Sequence, residues 1–376
     1  MELNSFLKNQ LNKRKEDGSL RELKYNKNLI DFSSNDYLGF ARNTDLKLNA
    51  QEILKNNQDS TRINGATGSR LISGQYPLYE KIEKYIATFH NAESALIFNS
   101  GYDANLGFFS CIPQKGDTIL FDRLIHASIH DGIRLSKAQA MAFKHNDTKH
   151  LIELNEYTTG NVFVVAESIY SMDGDAAPIE ELIKVCKKND WHLVIDEAHA
   201  LGVCGNKNDG LLNTELYAAA CFARIYTFGK ALGAHGAAIV GSKLLTDYLV
   251  NFSRPFIYTT ALPPEALAQI LASYQYLSIA EKESLILKKN IALFQSQIQL
   301  HQINITNSNS AIQCILIAGN ENVNAAAVAL QTKGFDVRAI RSPTVKKGSE
   351  RLRICLHSFN SEEEIRSLVS ACIGLF

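Results

Sequence analysis

The chain has 376 residues, 45% of them hydrophobic and 21% charged, with 39 basic and 39 acidic side chains and therefore no formal net charge. That size and composition suit a globular protein with one large domain and a smaller one, and the charge balance argues against nucleic acid as the main partner. The seven cysteines are scattered and form no C-x-x-C, which fits a reducing compartment and argues against a disulfide framework or a zinc knuckle.

The opening segment MELNSFLKNQLNKRKEDGSLREL has no apolar signal core. No run approaches the roughly eighteen apolar residues of a membrane span, so a cytoplasmic protein is expected. Leu3, Phe6, Leu7 and Leu11 recur near helical spacing and predict a short amphipathic helix over 2–16. DFSSNDYLGF (31–40) reads as a strand with a polar turn, and NGATGSRLISG (64–74) as a loop. Leu78, Ile82, Tyr85, Ile86 and Phe89 then share one helical face.

Short apolar runs follow at 94–98, 118–122, 161–168, 192–198, 224–228 and 237–241, with helical patterns such as IEELIKVCKKND (179–190) between them. Several runs are apolar at successive positions, as in strands buried on both faces. The order therefore predicts an α/β fold around a mostly parallel sheet. After about residue 280 the pattern becomes strand, helix, strand, strand and a final helix from Ser361, a small α+β domain. The expected organisation is an N-terminal arm (1–40), a large domain (41–280) and a small C-terminal domain (281–376).

Lys230 follows a buried-looking strand and is surrounded by Gly229, Ala231, Gly233, Ala234, Gly236 and Ala237. Small neighbours let a bulky group approach the backbone, and an amine in apolar surroundings becomes a nucleophile toward aldehydes. In HLVIDEAHALGVCG, Asp196 sits at a strand's C-terminal end, where open α/β sheets place ligands. A carboxylate there pairs with a protonated pyridine nitrogen, or serves as a helix N-cap. His199 is placed to hydrogen-bond a ring hydroxyl or to fill a polar gap. Ser100, Gly101 and Tyr102 open a helix whose free N–H groups suit a phosphate, and Thr227 can add a hydroxyl to it. His126 and His130 are spaced i, i+4, but no third ligand recurs at metal spacing, so no metal site is expected. His126 reads instead as a ring that covers a cofactor, or as a core histidine. Arg353, alternating with Leu352 and Ile354, and Arg341 are candidates for binding a carboxylate or for internal salt bridges.

Together FSSNDYLG, NGATGSRLISG, NSGYDANLG, DRLIHASIHDG, ESIYSMDGDAAPI, VIDEAHALGVCG, TFGKALG and the terminal IRSPTVKKGSERLR resemble the α-oxoamine synthases. These are pyridoxal-phosphate enzymes of the aspartate-aminotransferase fold (fold type I), and the resemblance spans nearly the whole chain. It implies pyridoxal 5'-phosphate as cofactor and a decarboxylative condensation of an amino acid with an acyl thioester. L-alanine with a pimeloyl thioester is the expected pair, and glycine with acetyl-CoA the alternative.

By position the resemblance makes Lys230 the Schiff-base lysine and proton-transfer base, Asp196 the partner of the pyridine nitrogen and His199 that of the ring hydroxyl. It stacks His126 on the ring and sets Gly101, Tyr102 and Thr227 around the phosphate. Arg353 holds the substrate carboxylate with Asn35 and Ser171 nearby, and Arg21 and Arg341 stand in the substrate region. It also implies a homodimer in which Thr259 and Thr260 contribute across the interface. DEAHALG in place of DEAHGTG, and VKKG in place of VPxG, depart from the pattern without removing a catalytic group.

Overall fold

The computed structural model describes residues 3–23, 28–57, 64–212 and 214–375. The chain divides into two units, one of residues 36–170 and 176–284, the other of residues 1–35, 171–175 and 285–376. In the second of these, α1 (Leu3–Glu16) is the helix predicted over 2–16, with no buried side chain. A two-residue strand, β1 (Ile30–Asp31), follows it.

The larger unit is built on a seven-stranded sheet. Its strands are β2 (Ser94–Phe98), β3 (Thr118–Asp122), β4 (Gln139–Phe143), β5 (Val162–Glu167), β6 (His192–Asp196), β7 (Cys221–Thr227) and β8 (Ala237–Gly241). They lie in the order β2-β8-β7-β6-β5-β3-β4. β5 shows why the apolar runs are continuous: Phe163 and Val165 enter one core while Val162, Val164 and Ala166 enter the other, on the opposite face. Each valine or phenylalanine among them stabilises the fold by about 1.5–3 kcal/mol when fully buried.

The sheet is mostly parallel, as expected, and two of its features were not read from the sequence. β8 runs antiparallel to both its neighbours. The connection from β7, residues 228–236, is too short for a parallel crossover, which takes a dozen residues or more. β4 was not among the expected strands although Ala140, Met141, Ala142 and Phe143 are all apolar; it is an edge strand, with only Phe143 of its five residues buried.

Helices α2 (Thr44–Asn56) and α3 (Pro77–Phe89) belong to this unit; the Asn43 side chain caps α2 and a proline opens α3. α4 (Gly101–Cys111) leaves the C-terminal end of β2, and α5 (Ala127–Leu135) that of β3. The smaller unit holds an antiparallel sheet of β9 (Ile312–Leu316), β11 (Arg338–Ile340) and β12 (Arg351–Cys355), with β12 central; β10 (Phe335–Asp336) pairs with β1. Its last helix, Glu362–Ile373, begins with a capping box between Ser361 and Glu364.

Candidate active site

The parallel strands end on one edge of the large sheet, and the turns leaving that edge surround a cavity of about 150 Å³. Gly101, Asn105, His126, Asp196, Thr227 and Lys230 line it, with Tyr102, Glu167 and His199. Asp196 is the last residue of β6 and is buried. Its Oδ1 accepts a hydrogen bond from the Ala198 N–H at 2.9 Å and its Oδ2 one from Asn105 Nδ2 at 2.8 Å. A turn rather than a helix follows, so Asp196 does not cap a helix.

Asn105 is the hub that sequence reasoning missed. Its amide donates to Asp196 and, at 3.0 Å, to Ser128 Oγ, which lies 2.7 Å from His126 Nδ1. The Ser128 N–H also donates to His126 Nδ1, at 3.2 Å. His126 Nδ1 is therefore an acceptor and the ring hydrogen sits on Nε2. Partial burial lowers the His126 pKa, the Lys230 ammonium adds to that effect, and the Asp196 carboxylate opposes it. The result is a neutral imidazole on a solvent-exposed residue that lines the cavity, which suits it to cover a ring. The signal for Asn105 was a polar residue on a helix face otherwise made of Ala104, Phe108 and Phe109.

His199 is buried, and its Nδ1 lies 2.7 Å from the hydroxyl of fully buried Tyr37. Lys230 sits in the 228–236 turn, where the Gly233 N–H donates to the Lys230 carbonyl at 2.9 Å. Gly233 has φ 57° and Gly236 φ 114°, conformations open to glycine. At the start of α4, a Cβ on Gly101 would stand 3.3 Å from Thr227 Oγ1, so the glycine leaves room beside that hydroxyl. Tyr102 is exposed and its hydroxyl donates to Asp131, which raises the phenol pKa. His130 packs edge-on against Phe121. Among the described residues, no group of three or more His, Cys, Asp or Glu could hold a metal ion.

Pyridoxal phosphate fits this set of groups. A helix start with a threonine hydroxyl suits its phosphate, an anchored carboxylate its ring nitrogen, a neutral imidazole its ring face and an amine its aldehyde. Asn105 Oδ1 is buried without a hydrogen-bond partner, a polar atom left for a ligand to satisfy.

The remaining predicted residues fall elsewhere. In the smaller unit Arg353 is buried, with its Nε donating to the Ser171 carbonyl at 2.8 Å and its Nη2 to Asn35 Oδ1 at 3.0 Å. Arg341 Nη1 donates to the carbonyls of Gly18, at 2.9 Å, and Leu20, so it fixes the segment that carries Arg21. Arg21 and Arg341 both line a cavity of about 180 Å³. In the larger unit the Thr259 hydroxyl and Thr260 carbonyl accept hydrogen bonds from Asn99, two residues before Gly101.

A family model for aminotransferase class I and II matches residues 27–371. The chain is 38% identical to an 8-amino-7-oxononanoate synthase of Emericella nidulans, over 90% of this chain and 87% of that protein. Among solved structures, an 8-amino-7-oxononanoate synthase from Francisella tularensis superposes with a TM-score of 0.78 at 28% identity, covering 92% of this chain and 97% of that one. A Sphingomonas wittichii serine palmitoyltransferase gives a TM-score of 0.91 at 26% identity, covering 100% of this chain and 98% of that one.

Proposed function

The chain belongs to the class I and II aminotransferase family, and from that premise we propose that it condenses L-alanine with a pimeloyl thioester, with loss of carbon dioxide, to give 8-amino-7-oxononanoate for biotin synthesis. Pyridoxal phosphate, its cofactor, supplies an aldehyde for the amine and a ring that accepts the electron pair left when a proton or carboxylate departs. The observation that carries the reading is the convergence of Lys230, Asp196, His126 and His199 with the start of α4 on one cavity.

Lys230 would hold the cofactor, and its freed amine would take and return the α-proton. Asp196, fixed by Asn105 and the Ala198 N–H, would pair with the ring nitrogen. His126 covers the ring face and His199 donates to the ring hydroxyl. Gly101, Tyr102 and Thr227 border the phosphate. Arg353, its guanidinium oriented by Asn35 and the Ser171 carbonyl, binds the amino acid's carboxylate. Arg21 serves the acyl substrate, carried on coenzyme A or on a carrier protein, and Arg341 holds the Arg21 segment in place. The same reading places the enzyme in the cytoplasm as a homodimer, with Thr259 and Thr260 reaching the partner's site. No helix among the described residues is long and apolar enough to cross a membrane.

The test is to load the purified protein with pyridoxal phosphate, reduce it with borohydride and map the modified peptide. Attachment at Lys230 is expected, and attachment at any other lysine would overturn the assignment. Rates with alanine and pimeloyl-CoA should exceed those with glycine and acetyl-CoA; the reverse order would move the reaction to the shorter acyl group and leave the Lys230 assignment intact.

A further inference from the structure

Tyr37 is fully buried, and burying a phenolic hydroxyl is costly unless it is hydrogen-bonded. A phenylalanine would fill the same volume, so the hydroxyl itself needs an account. It lies 2.7 Å from Nδ1 of His199, which is 162 positions along the chain.

The segment that delivers Tyr37 is held firmly. Asp36 Oδ1 accepts from the Ala41 N–H at 3.1 Å, and its Oδ2 accepts from Arg42 Nε at 3.1 Å. The Gly39 N–H closes the turn on the Asp36 carbonyl at 2.9 Å. Gly233, from the Lys230 turn, lies directly against the backbone of Phe40 and Ala41. Gly202, from the His199 turn, lies against Ala231, and Leu38 packs beside it. The phenol is thereby clamped to the two turns that carry His199 and Lys230.

We infer that Tyr37 is a positioning residue that sets the tautomer of His199, its O–H donating to Nδ1 so that the ring hydrogen resides on Nε2. A neutral imidazole has one donor and one acceptor nitrogen, and a phenol, with an ordinary pKa of about 10, is a good hydrogen donor to a ring lone pair. His126 shows the same pattern, with Ser128 engaging Nδ1. Both imidazoles at the cavity thus carry the hydrogen on Nε2, in a site that also holds the Lys230 amine. A donor at His199 Nε2 suits an oxygen on the ligand's ring, which is the ring hydroxyl if the cofactor reading above holds.

The test uses cofactor-free protein labelled with nitrogen-15 at its ten histidines. Ring spectra at pH 7 are assigned with H199N, and the experiment is repeated on Y37F. In the wild type, His199 should show an unprotonated Nδ1 and a protonated Nε2, in a ratio of about tenfold or more. In Y37F the ratio should fall several-fold, toward the intrinsic preference of a free imidazole side chain. A protonated Nδ1 in the wild type would overturn the inference without need of a variant, and so would an unchanged ratio in Y37F. With the cofactor loaded, the visible absorbance maximum should also shift in Y37F at fixed pH, a change that lost packing alone would not cause. Failure of borohydride to fix the cofactor on Lys230 would defeat the cofactor reading and leave the tautomer result standing.

Discussion

Replacing Gly233 with alanine probes how the Lys230 turn is held. Gly233 has φ 57°, and a Cβ there would lie 2.6 Å from the Phe40 carbonyl carbon, 2.7 Å from Ala41 Cα and closer still to Ala41 N. All three are backbone atoms, so no side-chain rotation relieves the clash. Restoring even a 3.0 Å separation requires one turn to move off the other. Gly116 is the control: φ is 97° and nothing lies within 4 Å of its added Cβ, so G116A carries backbone strain alone. Strain of that kind costs about 1–3 kcal/mol. Overpacking adds about 1–3 kcal/mol in G233A, which for a unit of this size lowers the Tm by roughly a further 3–10 °C. Differential scanning fluorimetry of the two variants measures the difference. Cofactor titration followed by visible absorbance should show weaker retention in G233A only, because its displacement passes directly to Lys230. If G233A lost no more Tm than G116A and bound the cofactor normally, the argument that the Phe40–Ala41 backbone holds the Lys230 turn would be wrong.

Three further outcomes are expected. On the proposed pairing of Asp196 with the ring nitrogen, Asp196→Asn removes one charge of a buried pair, a loss of about 2–5 kcal/mol; turnover should fall roughly 30-fold to several-thousandfold, and activity within threefold of wild type would remove Asp196 from its role. Arg353→Lys cannot reproduce the paired bonds to Ser171 and Asn35, so KM for the amino acid should rise tenfold or more while that for the thioester stays within about twofold; equal rises in both would count against carboxylate binding. Burial raises the Glu197 pKa from 4.5 to about 7. The unfolded carboxyl thus ionises before the folded one, and wild-type stability drains away between pH 4.5 and 7 at about 1.4 kcal/mol per pH unit from this group. Glu197→Gln keeps an acceptor for the Leu211 N–H without the charge. Its urea midpoint relative to wild type should climb from pH 5 to pH 7 and then level off, and a constant offset would show that Glu197 is not the titrating group.

The sequence by itself determined the fold class and most of the cavity. Parallel strands buried on both faces must be apolar throughout, so β3, β5, β6 and β7 announced themselves as runs. Ligands gather at the ends of such strands, so Asp196, Thr227 and Lys230 could be picked out beside them. The edge strand β4 was passed over although Ala140, Met141, Ala142 and Phe143 are all apolar; at the sheet's edge only Phe143 is buried. The reversed direction of β8 follows from a connection length that a list of runs does not weigh. Asn105 and Tyr37 were invisible for a different reason: each acts through a hydrogen bond to a residue 23 or more positions away. Only the tertiary structure decided which polar side chains would meet, because residue types and spacing specify local geometry, whereas a hydrogen bond between distant segments exists only once packing has brought its donor within about 3 Å of its acceptor.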